Sequence, residues 1–261
     1  MSRSYHVISA IAVVASLFDT GVTFAAGLPY AKAAPRYQAP PSWSGCYIGG
    51  NIGAGWDDTH SGGVGLFGVP QPYQDFGGSN GSGFIGGGQI GCDYQFASHW
   101  VVGIQGKAEF GTINTSNLVA AFPGITAAYQ LKNTETLTAR IGYAFAPSVL
   151  AYLKRGAAWS NANAAALAEP VTAEASDFTM TGYTVGGGLE WMFAPGWSVF
   201  SEYNYTDFGT KNVNLYSTGL VAGFGAAGVV ADTIAMRIRS QEVILGANYK
   251  FNWGSPVVAR Y

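Results

Sequence analysis

From Trp43 to Phe251 apolar and polar residues alternate with a period of two, the signature of strands with two unlike faces. Eight such segments are legible, at 43–56, 83–96, 100–111, 132–145, 149–159, 178–193, 197–208 and 233–251. The intervals between them alternate in length. Residues 57–82, 112–131, 160–177 and 209–232 are long, whereas Ala97-Ser98-His99, Ala146-Pro147-Ser148 and Ala194-Pro195-Gly196 are three-residue turns. One parity holds uncharged residues such as Ile48, Ile52, Trp56, Phe84, Ile90, Ile104, Leu137, Ile141, Leu189, Val243 and Leu245. The other holds Asp93, Lys107, Glu109, Arg140, Lys154, Glu190, Glu202, Glu242 and Lys250. A soluble barrel would turn this inside out, with an apolar lumen and a charged exterior. A Lys or Arg facing lipid costs roughly 2–4 kcal/mol at the bilayer midplane, so the charged parity is assigned to the lumen. The pattern predicts an all-β fold: an eight-stranded antiparallel up-and-down transmembrane β-barrel with long extracellular loops and short periplasmic turns. An even strand number puts both termini on the periplasmic side.

Aromatic residues gather at the segment ends, where interface girdles belong. Tyr94, Phe96, Trp100, Tyr143, Phe145, Trp191, Phe193, Trp197, Tyr249 and Phe251 form the expected periplasmic belt, and Trp56, Phe84, Phe110, Trp159, Tyr183 and Tyr205 the outer one. One residue resists the scheme. If Leu153, Ala157 and Trp159 face lipid, so does Arg155, and three readings stay open: it snorkels, a bulge re-aims it, or the register slips there.

Before the strands lies an address. Arg3 and His6 precede the apolar run Val7–Phe18, followed by small residues around Ala25, which is the layout of a signal peptide over 1–25. Residues 26–42, with Pro29, Pro35, Pro40 and Pro41, read as an extended periplasmic linker, 43–251 as the barrel and 252–261 as a C-terminal extension. No stretch reaches 18 uninterrupted apolar residues, so no helix is predicted to cross a membrane. Composition agrees with an exported barrel: 11% of residues are charged, against roughly 25% in a soluble domain. A net charge of −2 argues against a nucleic-acid partner, which needs a basic face.

The blocks Trp43-Ser44-Gly45-Cys46-Tyr47-Ile48-Gly49-Gly50-Asn51-Ile52-Gly53, Thr181-Gly182-Tyr183-Thr184-Val185-Gly186-Gly187-Gly188-Leu189-Glu190, Glu202-Tyr203-Asn204-Tyr205-Thr206-Asp207-Phe208-Gly209 and Gly246-Ala247-Asn248-Tyr249-Lys250-Phe251 occur in that order. They resemble strands one, six, seven and eight of the outer-membrane immunogenic, opacity-type small barrels of alpha-proteobacteria. The resemblance spans 43–253 and implies an OmpA-like eight-stranded barrel of the porin family. It also implies a surface-exposed protein rather than an enzyme. Cys46 departs from the family, which usually has an aromatic there. Ten residues follow Phe251, leaving Phe251 and Tyr261 as two candidates for the C-terminal insertion signal.

Candidate chemistry is sparse. Gly86-Gly87-Gly88-Gln89-Ile90-Gly91 fits a dinucleotide fingerprint, but an alternating segment follows where a helix is required. Gly77-Gly78-Ser79-Asn80-Gly81 fits a nucleophile elbow but lies in a Gly-rich interval without the strand–helix context. His60-Ser61 is the sole candidate pair for a lipid A-modifying barrel enzyme and has no strand-borne acid beside it. His60 and His99, the two histidines after the leader, are expected at opposite barrel ends. No cofactor or metal is called for. With residues near 49 and 90 opposed in the first hairpin, Cys46 falls close to Cys92. Facing Cβ atoms lie about 4.5–5.5 Å apart, slightly long for a bridge, so a cross-strand disulfide and two lipid-facing thiols both stand.

The lumen of an eight-stranded barrel is about wide enough for side chains to fill. Two readings of its charges follow: a salt-bridged plug, or a thin water path beside the glycines at 49, 53, 87, 91, 103, 142, 186, 188 and 246. The first predicts a structural, surface-exposed barrel that supports envelope integrity, and the second a narrow passive porin. Expected partners are outer-membrane lipids and lipopolysaccharide, the barrel-assembly machinery during insertion, and host or surface ligands reached through the loops.

Overall fold

In the computed structural model, residues 41–118, 124–168 and 171–251 are described. The leader, most of the linker and the extension with Tyr261 lie outside them. Eight antiparallel strands, β1 (Gly45–Leu66), β2 (Val69–Phe96), β3 (Trp100–Leu118), β4 (Ile125–Ala146), β5 (Val149–Ala168), β6 (Val171–Ala194), β7 (Trp197–Ser217) and β8 (Val230–Phe251), close into a barrel in sequence order. The β1–β8 seam pairs Cys46 with Phe251 and Trp56 with Gln241. Both strand termini therefore meet at one end, here the turn end, which also carries the three short turns.

The eight segments are where the alternation places them, but each strand continues at the other, distal end. Strands run 19 to 28 residues, about twice the 9–11 that a membrane needs. Most of the intervals expected as loops are strand. Residues 57–66 and 69–82 extend β1 and β2 and close through Phe67-Gly68, both at positive φ as a type I′ hairpin requires. Among the described residues, the only distal connection longer than a few residues is 218–229 between β7 and β8. It is held by Thr218, whose backbone N–H donates to the Ala173 carbonyl (2.9 Å) and whose hydroxyl donates to the Thr172 carbonyl (2.7 Å).

The reason for the misreading is a reversal of hydropathy halfway along the strands. In the turn half the outward side chains are apolar, ending in Phe84, 89% exposed, and in the expected aromatic girdles. Trp100 meets Tyr143 edge-on at 5.3 Å, and Trp197 lies 5.0 Å from Tyr249. In the distal half the outward positions become Lys132, Asn161, Asp177, Thr179, Asn212 and Arg237, while the inward ones become Tyr129, Leu131, Ala162, Leu215, Ile234 and Met236. Register shifts accompany the change. One between Leu131 and Asn133 and one between Asp207 and Thr210 move the inward parity of β4 and β7 from even to odd numbers. Such bulges re-aim every side chain beyond them.

Arg155 is settled by the pairing. The β4–β5 ladder is unbroken from Asn133 to Ala144, and the β5–β6 ladder from Val149 to Ala166, so neither bulge nor slip turns it. It faces outward between Ala139 and Val185, and snorkelling remains its means of reaching polar surroundings. Arg155→Leu is expected to stabilise the barrel in lipid vesicles by about 2 kcal/mol, read as a higher denaturant midpoint; an unchanged or lower midpoint would show that the arginine meets no lipid.

Candidate functional site: a charged lumen below an apolar cup

All nine lumen charges that the alternation singled out lie inside the turn half, none more than 6% exposed. They sit in layers because inward residues recur every second position on strands staggered around the barrel. In the layer nearest the turn end, Arg140 of β4 donates from Nε to Asp93 of β2 (2.7 Å) and also pairs through Nη2 with the second Asp93 oxygen. Its Nη1 donates to Glu190 of β6 at 3.2 Å. Lys250 donates to Asp93 at 3.1 Å, while Ser198 (2.6 Å) and Asn248 (3.0 Å) donate to Glu190. The Arg140 guanidinium also lies 5.1 Å from the Tyr47 ring centre and 4.8 Å from that of Tyr152, within cation–π range.

Above this, Lys154 pairs with Glu202, which also accepts from Tyr152 (2.9 Å) and Asn204 (2.9 Å). Lys107 Nζ lies 2.7 Å from Glu109 and 3.2 Å from Glu242. Each of these nine charges thus has an opposite partner, as burial requires.

The inward glycines are covered. Asn248 lies over Gly49, the Tyr47 hydroxyl over Gly91, Asp93 over Gly103, Asn204 over Gly186 and the Phe200 ring over Gly246, each so close that an added Cβ would collide. Large side chains from neighbouring strands thus occupy the space beside these glycines.

Sequence reasoning missed the turn-end seal. Trp43, read as the first residue of a strand, precedes β1 and is fully buried against Val101, Ala144, Leu150 and Tyr152. Its backbone N–H donates to Gln95 (2.8 Å), and its carbonyl accepts from Lys250 (2.6 Å).

The distal half is different. Its lumen is an apolar cup containing a cavity of about 210 Å³, lined by Phe76, Ile125, Ala127, Tyr129, Ala166 and Leu215 among others. Two acids, Glu174 of β6 and Asp232 of β8, enter its wall. Burial, and then the neighbouring Asp232 carboxyl, push the Glu174 carboxyl up to about 8, and burial also raises Asp232. A carboxyl whose folded pKa lies above its unfolded value favours the folded state while it is protonated. That contribution is complete below about 4.3, the unfolded glutamate value, and is lost as pH rises towards 8. Amide exchange around Glu174 and Asp232, corrected for intrinsic rates, is therefore expected to be faster at pH 8 than at pH 5. Glu174→Gln should remove the difference, and equal protection of the wild-type segment at both values would contradict the assignment.

The remaining sequence motifs do not assemble. Gly77–Gly81 and His60-Ser61 lie within strands β2 and β1 rather than in loops. His60 is exposed, 3.2 Å from Asp75, whereas Ser61 points inward and shares a 2.6 Å hydrogen bond with Tyr129. His99 lies at the turn end, stacked on Tyr143. Cys46 stands opposite Cys92 on the outward face with the two sulfurs joined. Gly49 faces Gln89, one residue from the expected register, and this brings the cysteines into direct opposition. A thiol titration under denaturing, non-reducing conditions is expected to count none, and two would contradict the bridge.

A closed eight-stranded barrel with an apolar girdled exterior and a charged lumen is the architecture of a bacterial outer-membrane β-barrel protein. The chain belongs to the outer membrane protein beta-barrel domain family, whose model matches residues 20–251. It is 29% identical over 252 residues to the 31 kDa outer-membrane immunogenic protein of Brucella melitensis, covering 92% of this chain and 98% of that one. With the 25 kDa outer-membrane immunogenic protein of Brucella abortus it shares 27% over 220 residues, covering 84% and 83%. Among solved structures, OprG of Pseudomonas aeruginosa matches at a TM-score of 0.48 with 14% identity, covering 82% of this chain and 99% of that one.

Proposed function

We propose that this outer-membrane barrel is a structural, non-enzymatic protein with its turn end in the periplasm, closed to solutes and displaying its distal half at the cell surface. The observation that carries this reading is the layered ion-pair network of Arg140, Lys154 and Lys107 across the lumen, with Trp43 seated beneath it. Buried charges paired on two or three sides give up little to a passing ion, because opening a path strands each of them. The polar outer face of the distal half fits the water and sugar beyond the bilayer. Its partners on this reading are lipopolysaccharide and outer-membrane lipids around the belt, the assembly machinery during insertion, and host or surface ligands at the distal rim. The names of the Brucella relatives, immunogenic outer-membrane proteins, accord with such display. Proteoliposomes carrying the refolded barrel are expected to swell in small sugars or amino acids no faster than protein-free vesicles. Swelling that scales with protein content would overturn the closed reading and favour a narrow porin. Lipid A left unmodified after incubation with the protein is the matching expectation for the absence of catalysis.

A further inference from the structure

The distal cup is larger than a packing defect. Its volume, about 210 Å³, exceeds the roughly 150 Å³ of an apolar cavity that stays dry and takes up benzene. By that scale it holds a body of about eight heavy atoms. The walls come from β1, β2 and β4 through β8, and Phe67 of the β1–β2 hairpin and Phe224 of the β7–β8 connection complete the lining. Against this apolar surface stand two acids, and among the described residues no lysine, arginine or histidine lines the cavity.

Glu174 is 2% exposed, and its Oε2 has no hydrogen-bond partner. A buried carboxylate oxygen without a donor is expensive to maintain, and the donor that best satisfies it inside apolar walls is a cation carrying N–H groups. Asp232, beside it, accepts a hydrogen bond from the Glu174 carboxyl while that is protonated, and becomes a second acceptor of the same sign once Glu174 ionises. Asp93, Glu109, Glu190, Glu202 and Glu242 in the turn half are each matched by a lysine or arginine, whereas this pair is matched by none of the residues lining the cavity.

We infer that the distal cup is a binding site for a small apolar amine, its one-ring or short-chain body lying among Phe76, Ala127, Tyr129, Ala166 and Leu215 and its ammonium donating to Glu174 and Asp232. The shape sets the size limit, the apolar walls select the body, and the unmatched acids select the charge. The site goes beyond the structural role proposed above and needs no open path through the barrel, because the ion-pair network lies below it.

The test uses 2-phenylethylamine as probe, with its neutral counterpart 2-phenylethanol and the acid 3-phenylpropanoate. Each is titrated near pH 8, where Glu174 gives up its proton, into the refolded barrel in lipid nanodiscs. Empty nanodiscs give the background, and methyl resonances of Ala127, Ala166 and Leu215 report the site. The amine is expected to shift these resonances saturably and to bind at least about tenfold more tightly than the alcohol, with no saturable binding of the acid. Glu174→Gln should weaken the amine by a similar factor while leaving the alcohol unchanged. Ala166→Phe, which fills the cavity from the β5 position facing Glu174, should abolish both, with heat-modifiable migration showing that each variant is folded. Equal affinity for amine and alcohol, amine binding indifferent to Glu174→Gln, or no saturable shift in the wild-type barrel would each overturn the inference. Failure of the closed-lumen reading would appear instead as solute flux, which none of these readouts measures.

Discussion

Arg140→Met is expected to destabilise the barrel by about 3–5 kcal/mol, the usual consequence of removing one partner from a buried ion pair. The guanidinium holds Asp93 through two contacts and Glu190 through two more, and it is flanked by the rings of Tyr47 and Tyr152. Methionine keeps much of the volume but strands both carboxylates. Lys250 and Ser198 then provide only partial compensation. Arg140→Lys keeps the charge but loses the planar fork that reaches both acids, so an intermediate loss of about 1–2 kcal/mol is expected. The measurement is reversible urea unfolding in lipid vesicles, followed by tryptophan fluorescence. If Arg140→Met and Arg140→Lys were both neutral, the ion-pair network would contribute nothing to the stability of the barrel.

Gly156→Val is the second large effect. Gly156 lies on β5 between Thr138 of β4 and Thr184 of β6. A Cβ there would run into the Leu137 carbonyl oxygen and lie 2.6 Å from the Thr138 Cα. Both are backbone atoms of the adjoining ladder, so relief means parting the strands rather than turning a side chain. The strongly coiled wall of a narrow barrel needs this close approach. A loss of about 3 kcal/mol is expected, at the upper end of overpacking effects, seen as a lower urea midpoint and a smaller heat-modifiable fraction after refolding. Gly106→Val is the control. There an added Cβ meets only the Ile90 side chain, at 3.9 Å on the outer face, and stability should change by no more than about 0.5 kcal/mol. Equal losses for the two variants would mean that glycine is needed for flexibility in general rather than for approach at Gly156.

The turn half was legible because two strong rules act together there. Lipid forbids charge on one face, and burial demands pairing on the other. The alternation through Lys107, Glu109, Arg140 and Lys154 could therefore be assigned without knowing which strand pairs at which register. The pairing partners themselves were out of reach, because whether Lys154 meets Glu202 or Glu190 depends on barrel stagger, which no local pattern encodes.

The distal half was illegible for three connected reasons. Water outside and apolar packing inside invert the pattern, so Ile234, Met236 and Ile238 carry the apolar signal on the parity that had carried charge. Bulges near Asn133 and Phe208 then shift that parity in β4 and β7. Finally the inward residues of β5, Ala158, Ala162, Ala164 and Ala166, are too small to stand out in an Ala- and Asn-rich run. Glu174 was lost with them, since an isolated acid in an apparent loop carries no message. Trp43 was read correctly as apolar but assigned to a strand, where in fact it turns into the lumen before β1 begins.

Closure of the turn half by paired charges, as proposed, is open to test by single-channel recording of residues 26–261 refolded into a planar bilayer, with insertion verified by heat-modifiable migration. The closed reading predicts a silent bilayer for the wild-type barrel. Steady openings whose size or ion selectivity changes with Glu202→Gln or Arg140→Gln would contradict it, because those charges would then line a water path.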